Sequence, residues 1–398
     1  MKVLQVNCVY KVGSTGKIVY DIHSLLEESG NDSVVCYGRG NNNNDCGVYK
    51  VTNECYAKFN NLLSRITGIM YGGCFFSTYK LIRIINRERP DIVHLHCING
   101  YFVNIYKLLN WLKKNNIKTV LTLHAEFMYT GSCGHSYECS QWIVGCQKCK
   151  KYKQISHSLF GDKSRVAFDK MKNAFENYEQ LTVVSVSPWL KERAEQSKIL
   201  KNKNHTVILN GVNTDVFRNR VSEDLFDKEY GNSKKVLYVT ADFADPMKGG
   251  HYIIELAKRL PEVLFFVVGS YDSKIDLPNN VVNVGRVKNQ YLLAQYYSMA
   301  DLTVITSKRE TFSMICAESL SCGTPVIGFK AGAPEQISID EYSDFCEYGD
   351  IDSLLLLTEK WLKQKVNKDV IEKKAQKIYS KMNMFNNYLK LYNEMLKQ

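Results

Sequence analysis

Two carboxylates, Glu310 and Glu318, are separated by seven residues in the stretch "DLTVITSKRETFSMICAESLSCGTPVIGF", Asp301 to Phe329. A strand is expected to end at Thr306 and a helix to begin around Thr311. At a rise of roughly 1.5 Å per residue, eight helical residues span roughly 12 Å, a reach comparable to a nucleotide sugar from hexose to ribose. One carboxylate would accept hydrogen bonds from sugar hydroxyls and the other from ribose, while the helix N-terminus faces the phosphates. Taken alone, the pair also reads as a first-turn charge complementing the helix dipole and a solvated residue further along. The "CGTPVI" run behind it favours the ligand reading. Lys248, ahead of two glycines in "DPMKGG", is a compact cation suited to a diphosphate leaving group whose charge grows as its bond breaks.

A glycine loop sits near the N-terminus, in "KVGSTGKIVYDI", Lys11 to Ile22. An ATPase P-loop needs four residues between its glycines and a hydroxyl residue after the lysine. Here Gly13 and Gly16 have only two residues between them and Ile18 follows Lys17. The dinucleotide fingerprint fails as well, for want of a third glycine. What remains is a strand, a loop of small residues and a helix starting near Gly16, an arrangement able to bring backbone N–H groups to a ligand.

The elements that must position these groups alternate along the whole chain. Apolar runs at Val3–Val9, Ser33–Tyr37, Ile92–His96, Thr119–Leu123 and Leu181–Val186 are followed by Val236–Thr240, Leu264–Val268, Val281–Val284, Leu302–Ile305 and Pro325–Gly328, with helical spacing between most of them. That is the pattern of parallel sheets with crossover helices, twice over, and 398 residues suit two cores better than one. Two doubly wound domains are expected to face a cleft at the carboxyl ends of both sheets. "NHTVILNGVNTDVFRNR", Asn204 to Arg220, reads as the junction. The expected boundaries are 1–203, 204–382 and a final helix, 383–398, returning to the first domain.

Apolar content of 45% and charged content of 23% are those of a globular protein. The chain begins without a signal-peptide pattern and contains no run of 18 apolar residues, so a cytoplasmic protein with reduced thiols is expected. A net charge of +11 points to anionic partners. No nucleic-acid motif accompanies it, which leaves phosphorylated small molecules or an anionic membrane surface.

With these residues in view, the segment around Glu310 resembles the E-x7-E signature of glycosyltransferase family 4, retaining enzymes of the GT-B fold. "VILNGVNTDVF" is similar to the family's interdomain stretch, "VVSVSPWL" to the strand and turn before it, and "DPMKGG" to its K-G. "AGAPEQI" is similar to G-G-x-P-E, with Ala331 replacing the first glycine, and "VGSTGKI" to the N-terminal glycine loop. "RPDIVHLHCINGYFVN" and "LTLHAEFMYTGSCGHSYECSQWIVGCQKC" further resemble enzymes of capsular and exopolysaccharide assembly. The resemblance implies two Rossmann-like domains and a nucleotide-sugar donor held by Gly13, Gly16, Lys248, Arg309, Glu310, Thr311, Phe312, Ser313 and Glu318. Lys248, Glu310 and His124 would be catalytic, and no cofactor would be needed for catalysis. The arginine that the family usually carries before the lysine is missing from "VTADFADPMK"; Arg309 or Lys308 would stand in. His124 matches the family's active-site His, yet Ala125 breaks the usual His-Asp pair and Glu126 follows. Of His94 and His96, taken to alternate across one strand, only one is expected to face the cleft.

Cys133, Cys139, Cys146 and Cys149 lie in the loop 131–150 as C-x5-C-x6-C-x2-C. Two readings stay open, a structural zinc stapling a loop with little core of its own, and free thiols. Residues 59–89 mix apolar side chains with Arg65, Lys80, Arg83, Arg87 and Arg89, beside Lys58; either a membrane-facing surface or an ordinary packed helix fits. The expected activity is a retaining transfer of a hexose to a saccharide or lipid-linked saccharide in surface polysaccharide biosynthesis. A nucleotide-sugar 2-epimerase of the same fold and a non-catalytic carbohydrate-binding protein are the alternatives.

Overall fold

The computed structural model describes residues 1–220, 230, 231, 233–272 and 275–397. Each apolar run read from the sequence becomes a strand, and each short polar edge adds one more. The first sheet contains β1 (Lys2–Asn7), β2 (Asp32–Tyr37), β3 (Val48–Lys50), β4 (Ile92–Leu95), β5 (Thr119–Leu123), β6 (Leu181–Ser185) and β7 (Asn204–Val207). All are parallel, in the order β3-β2-β1-β4-β5-β6-β7. The second contains β8 (Lys235–Asp242), β9 (Leu264–Ser270), β10 (Val281–Gly285), β11 (Leu302–Ile305), β12 (Val326–Phe329) and β13 (Ser343–Cys346). These are parallel too, ordered β10-β9-β8-β11-β12-β13. Strands such as β1, β4 and β12 are buried along nearly their whole length, because crossover helices cover both faces of a parallel sheet. Edge strands β3, β7 and β13 are three or four residues long and partly exposed, so no apolar run announces them.

The chain divides into two units, Met1–Leu209 with Phe385–Gln398, and Asn210–Met384. The strand β7, at the start of the expected junction, pairs with β6 in the first sheet. The last helix, Lys381–Lys397, joins the first unit from Phe385 onward. There the Tyr388 hydroxyl shares a 2.9 Å hydrogen bond with Thr122, and Lys118 Nζ donates to the Met395 carbonyl at 2.6 Å.

In each sheet the winding direction reverses once, between β1 and β4 and between β8 and β11. Doubly wound sheets bind ligands outside the carboxyl ends of the strands at such a reversal, where adjacent crossovers leave on opposite faces and open a crevice. The loop after β1 leads into α1 (Gly13–Glu28), and that after β8 into the helix Gly250–Arg259. Further on, α2 (Glu54–Thr67) and α3 (Phe75–Glu88) precede β4. No helix among the described residues is long and apolar enough to cross a membrane.

Candidate active site

The predicted residues fall into two groups, one at each reversal. In the second unit the loop after β8 carries Lys248, and the loop after β11 carries Lys308, Arg309 and Glu310. Lys248 Nζ and Glu310 Oε1 form a 2.8 Å ion pair. The backbone holds the two loops in register: Lys308 N donates to the Met247 carbonyl at 2.9 Å, and the Thr306 hydroxyl donates to the Lys248 carbonyl at 2.9 Å. Gly249 takes φ +77°, and a Cβ there would lie 2.5 Å from the Thr306 carbonyl oxygen. The glycine after Lys248 is thus required twice over, by conformation and by contact.

Glu310 is not helical. The helix spans Met314–Ser321, capped by the Ser313 hydroxyl at φ +76°, so the expected 12 Å helical rise between the two glutamates does not apply. Glu310 belongs instead to a short parallel bridge with Gly332: its N–H donates to the Ala331 carbonyl at 3.0 Å, and Ala333 N donates back to its carbonyl at 3.2 Å. Glu335 accepts from the N–H groups of Ala331 and Gly332 at 3.0 and 2.9 Å, fixing that loop. Gly332, at φ +110°, takes the conformation that needs glycine, which explains why alanine is accommodated at 331. Phe312 is buried and Thr311 half-buried beside Glu310. Arg309 and Lys308 are half-buried too, with the Lys308 ammonium 5.6 Å from the Tyr348 ring.

Glu318 lies on the helix and is half-buried. Its Oε2 accepts from the Tyr297 hydroxyl at 3.2 Å; burial and this carboxylate together push the Tyr297 phenol well above its ordinary range. A residue anchored in this way is not a solvated face charge.

In the first unit, Gly13 and Gly16 form the first turn of α1, with Gly13 at φ +66° and no side-chain cap or acidic residue in that turn. Asn7, at the end of β1, ties the reversal together. Its Nδ2 donates to the Val9 carbonyl at 2.7 Å, and its Oδ1 accepts from Cys97 N, beyond β4, at 3.0 Å.

Three histidines follow at the ends of β4 and β5. Residues two apart on a strand share a face, so the expectation that His94 and His96 point opposite ways is overturned: their rings lie 3.9 Å apart. His94 is the structural one, bonded to Tyr392 through Nδ1 and to Thr122 through Nε2, both at 2.7 Å. His96 is bonded to His124 at 3.2 Å and to Gln5 at 3.2 Å. The protons can be placed from the far end. Gln5 Nε2 donates to the Val19 carbonyl, so Gln5 Oε1 accepts from His96 Nε2–H. His96 Nδ1 is then an acceptor, and His124 must donate through Nε2–H, which makes Nδ1 its acceptor nitrogen. Burial holds His94 and His96 well below the usual histidine range and pushes His124 down to about 4. At neutral pH His124 is a neutral imidazole of fixed tautomer. His96 was one of two candidates for the cleft, whereas Gln5 was not identified as part of this site, although a Gln within the apolar run "KVLQVN" is the signal that marks it.

Glu126 does not replace the missing aspartate beside His124. It is fully buried and paired with Arg193 at 2.7 Å. The Arg193 guanidinium lies 4.6 Å from the Trp142 ring and 4.9 Å from that of Trp189, and Trp142 packs edge-on against Tyr129 at 5.2 Å. Trp142 therefore packs the cysteine loop against side chains outside it, a contact that the loop's composition does not announce. Burial pushes Cys133 and Cys146 up to about 12, and Cys146 Sγ donates to the Thr130 carbonyl at 3.3 Å. Among the described residues no three His, Cys, Asp or Glu side chains are grouped to hold a metal ion.

Residues 15–216 match the family described as Glycosyltransferase Family 4, and residues 221–378 match Glycosyl transferases group 1. A glycosyl transferase named for colanic acid biosynthesis, WcaC of Escherichia coli (strain K12), is 22% identical over 85% of both chains. Sucrose-phosphate synthase from Thermosynechococcus elongatus superposes with a TM-score of 0.70 at 16% identity, covering 100% of this chain and 99% of that one. Anabaena HepE, solved with UDP and glucose, gives 0.66 at 15% identity over 99% and 100%. These folds are GT-B, with two parallel Rossmann-like sheets of the kind described above. The chain belongs to glycosyltransferase family 4.

Proposed function

We propose that this glycosyltransferase retains configuration, moving a hexose from a nucleotide sugar to a saccharide or lipid-linked saccharide during surface polysaccharide biosynthesis, at the cytoplasmic face of the membrane. The observation that carries this reading is the Lys248–Glu310 ion pair at the β8/β11 reversal. An arriving diphosphate competes for the Lys248 ammonium, which then neutralises the charge that grows on the leaving group. Glu310, released from the lysine, accepts from sugar hydroxyls, and Glu318 accepts from ribose. His124 is a neutral imidazole and does not act as a proton reservoir near pH 7. None of the donor-binding side chains is a base for the opposite face. The acceptor hydroxyl then enters on the face from which the diphosphate leaves, and a diphosphate oxygen takes its proton. The UDP in the Anabaena HepE crystals and the pathway in the name of WcaC support the donor class and the biosynthetic setting.

The test is NMR of the purified product. An α-linked donor is expected to yield an α-linked product, and a β-linkage would refute the mechanism. Release of free nucleotide diphosphate without an acceptor, together with an epimerised sugar, would favour the 2-epimerase instead.

A further inference from the structure

Between Glu54 and Glu88 the sequence holds five Lys or Arg and no acidic residue. Within that stretch α2 is built the wrong way out for a helix covered only by water. Its buried positions are Ala57, Asn60 and Ser64, whereas Phe59, Leu62 and Ile66 are 60%, 53% and 45% exposed. These three recur at helical spacing with Lys58 and Arg65 and share the outer face. Polar contacts fix that rotation: Asn60 Oδ1 accepts from Cys74 N at 2.6 Å, and Asn60 Nδ2 donates to the Tyr56 carbonyl at 2.8 Å. Turning the helix to bury its apolar stripe would break the first of them.

The stripe continues onto neighbouring segments. Phe76, 81% exposed at the first turn of α3, packs its ring 6.1 Å from Tyr56, and Phe75 and Tyr79 are exposed beside it. The loop bearing exposed Leu159 and Phe160 is tied to the end of α2 by Leu159 N donating to the Arg65 carbonyl at 2.8 Å. Eight of the eighteen large apolar side chains exposed among the described residues lie in these three segments, which makes the exposure a patch and not scatter. Lys80 and Arg83 extend its basic character along α3.

A second copy of the same face would set these cations against their own equivalents, since a two-fold interface is self-complementary. A leaflet of anionic lipid matches both components, taking the aromatic and aliphatic side chains at the acyl boundary and the cations among its headgroups. We propose that the face formed by Phe59, Leu62, Ile66, Phe76, Leu159 and Phe160, with Lys58 and Arg65, seats the first unit on an anionic membrane surface. The inference rests on the membrane setting proposed above and supplies the surface that would make the contact.

Co-sedimentation of the full chain with vesicles tests it. Binding is expected to phosphatidylcholine vesicles containing phosphatidylglycerol, not to phosphatidylcholine alone, and is expected to weaken as salt is raised. The triple variant Phe59→Ser, Leu62→Ser, Ile66→Ser is expected to bind at least about tenfold more weakly, the loss of several buried methylene groups. Lys58→Gln and Arg65→Gln, which leave the apolar face intact, are each expected to cost about fivefold. UDP affinity, read by calorimetry on the same proteins, is expected to stay unchanged; its absence in the parent would count against the donor reading and leave the vesicle result standing. Failure of the parent to bind anionic vesicles at low salt, or equal binding by the triple variant, would overturn the proposal. So would a parent that dimerises in solution through this face and a triple variant that does not.

Discussion

Lowering the pH should undo the first unit through its buried histidines. The fold holds His94, His96 and His124 neutral, and the unfolded chain takes up a proton on each below about 6.5. A histidine whose folded value is depressed therefore contributes stability that is present above 6.5 and lost as the pH falls toward the folded value. For His124, pushed down to about 4 by burial, the loss on going from pH 7.5 to pH 5 is about 2 kcal/mol. That figure is a ceiling, because His124 keeps part of its surface exposed whereas His94 and His96 are buried. The latter two are also lowered by burial and act in the same direction. Against a total of roughly 5–15 kcal/mol for a domain, a combined loss above about 2 kcal/mol is readily measured. Denaturant unfolding at a series of pH values gives the slope, and titration of the ring protons by NMR assigns it. His23 and His205 are also lowered by burial, so the assignment is needed. Stability unchanged between pH 7 and 5, or His94, His96 and His124 all titrating near 6.5, would refute the reasoning. Nitrogen-15 spectra should also find His124 protonated at Nε2, and Gln5→Leu should blur that preference while leaving nucleotide binding intact.

Glu318→Gln is expected to weaken nucleotide binding by about 1.5–3 kcal/mol, the range for hydrogen bonds to charged groups, with little change in Tm because the amide oxygen still accepts from Tyr297; unchanged affinity in calorimetry would remove Glu318 from the donor site. Lys248→Ala should cut kcat by about 10²–10³, the scale for losing one preorganised charge-stabilising group, with acceptor KM little moved; a change confined to KM would contradict the leaving-group role. Arg193→Leu leaves the buried Glu126 carboxylate without its cation and should cost about 3–5 kcal/mol, seen as faster proteolysis within the cysteine loop; loosening of the loop by chelator, with zinc found in the purified protein, would favour the zinc reading over free thiols. Gly249→Ala meets both a left-handed backbone and the Thr306 carbonyl, so its stability should fall by at least about 1–3 kcal/mol; an unaffected Tm would show that the loop after β8 is not held as described.

The sequence by itself determined the class of fold. Runs such as "VLYVT" and "LTVIT" are mostly apolar, without charged residues, because a strand covered on both faces has no solvated side to show, and their alternation with helical stretches dictates parallel sheets. Lys248, Glu310 and Glu318 were singled out in the sequence, but the helical spacing assumed between the two glutamates was not: Glu310 sits in a bridge with Gly332 and only Glu318 is on the helix. What the local pattern could not carry was decided by contacts distant in sequence. Gln5 meets His96 across ninety-one positions, and only that meeting sets the proton on His124. Arg193 reaches Glu126 across sixty-seven and meets the Trp142 ring, a contact that the cysteine loop's composition does not announce. The edge strands β3, β7 and β13 exist because a neighbouring strand offers them hydrogen bonds, not because their residues favour the form. The outward turn of α2 has the same origin: hydrophobic spacing says which residues share a face, but the Asn60–Cys74 hydrogen bond decides which face looks in.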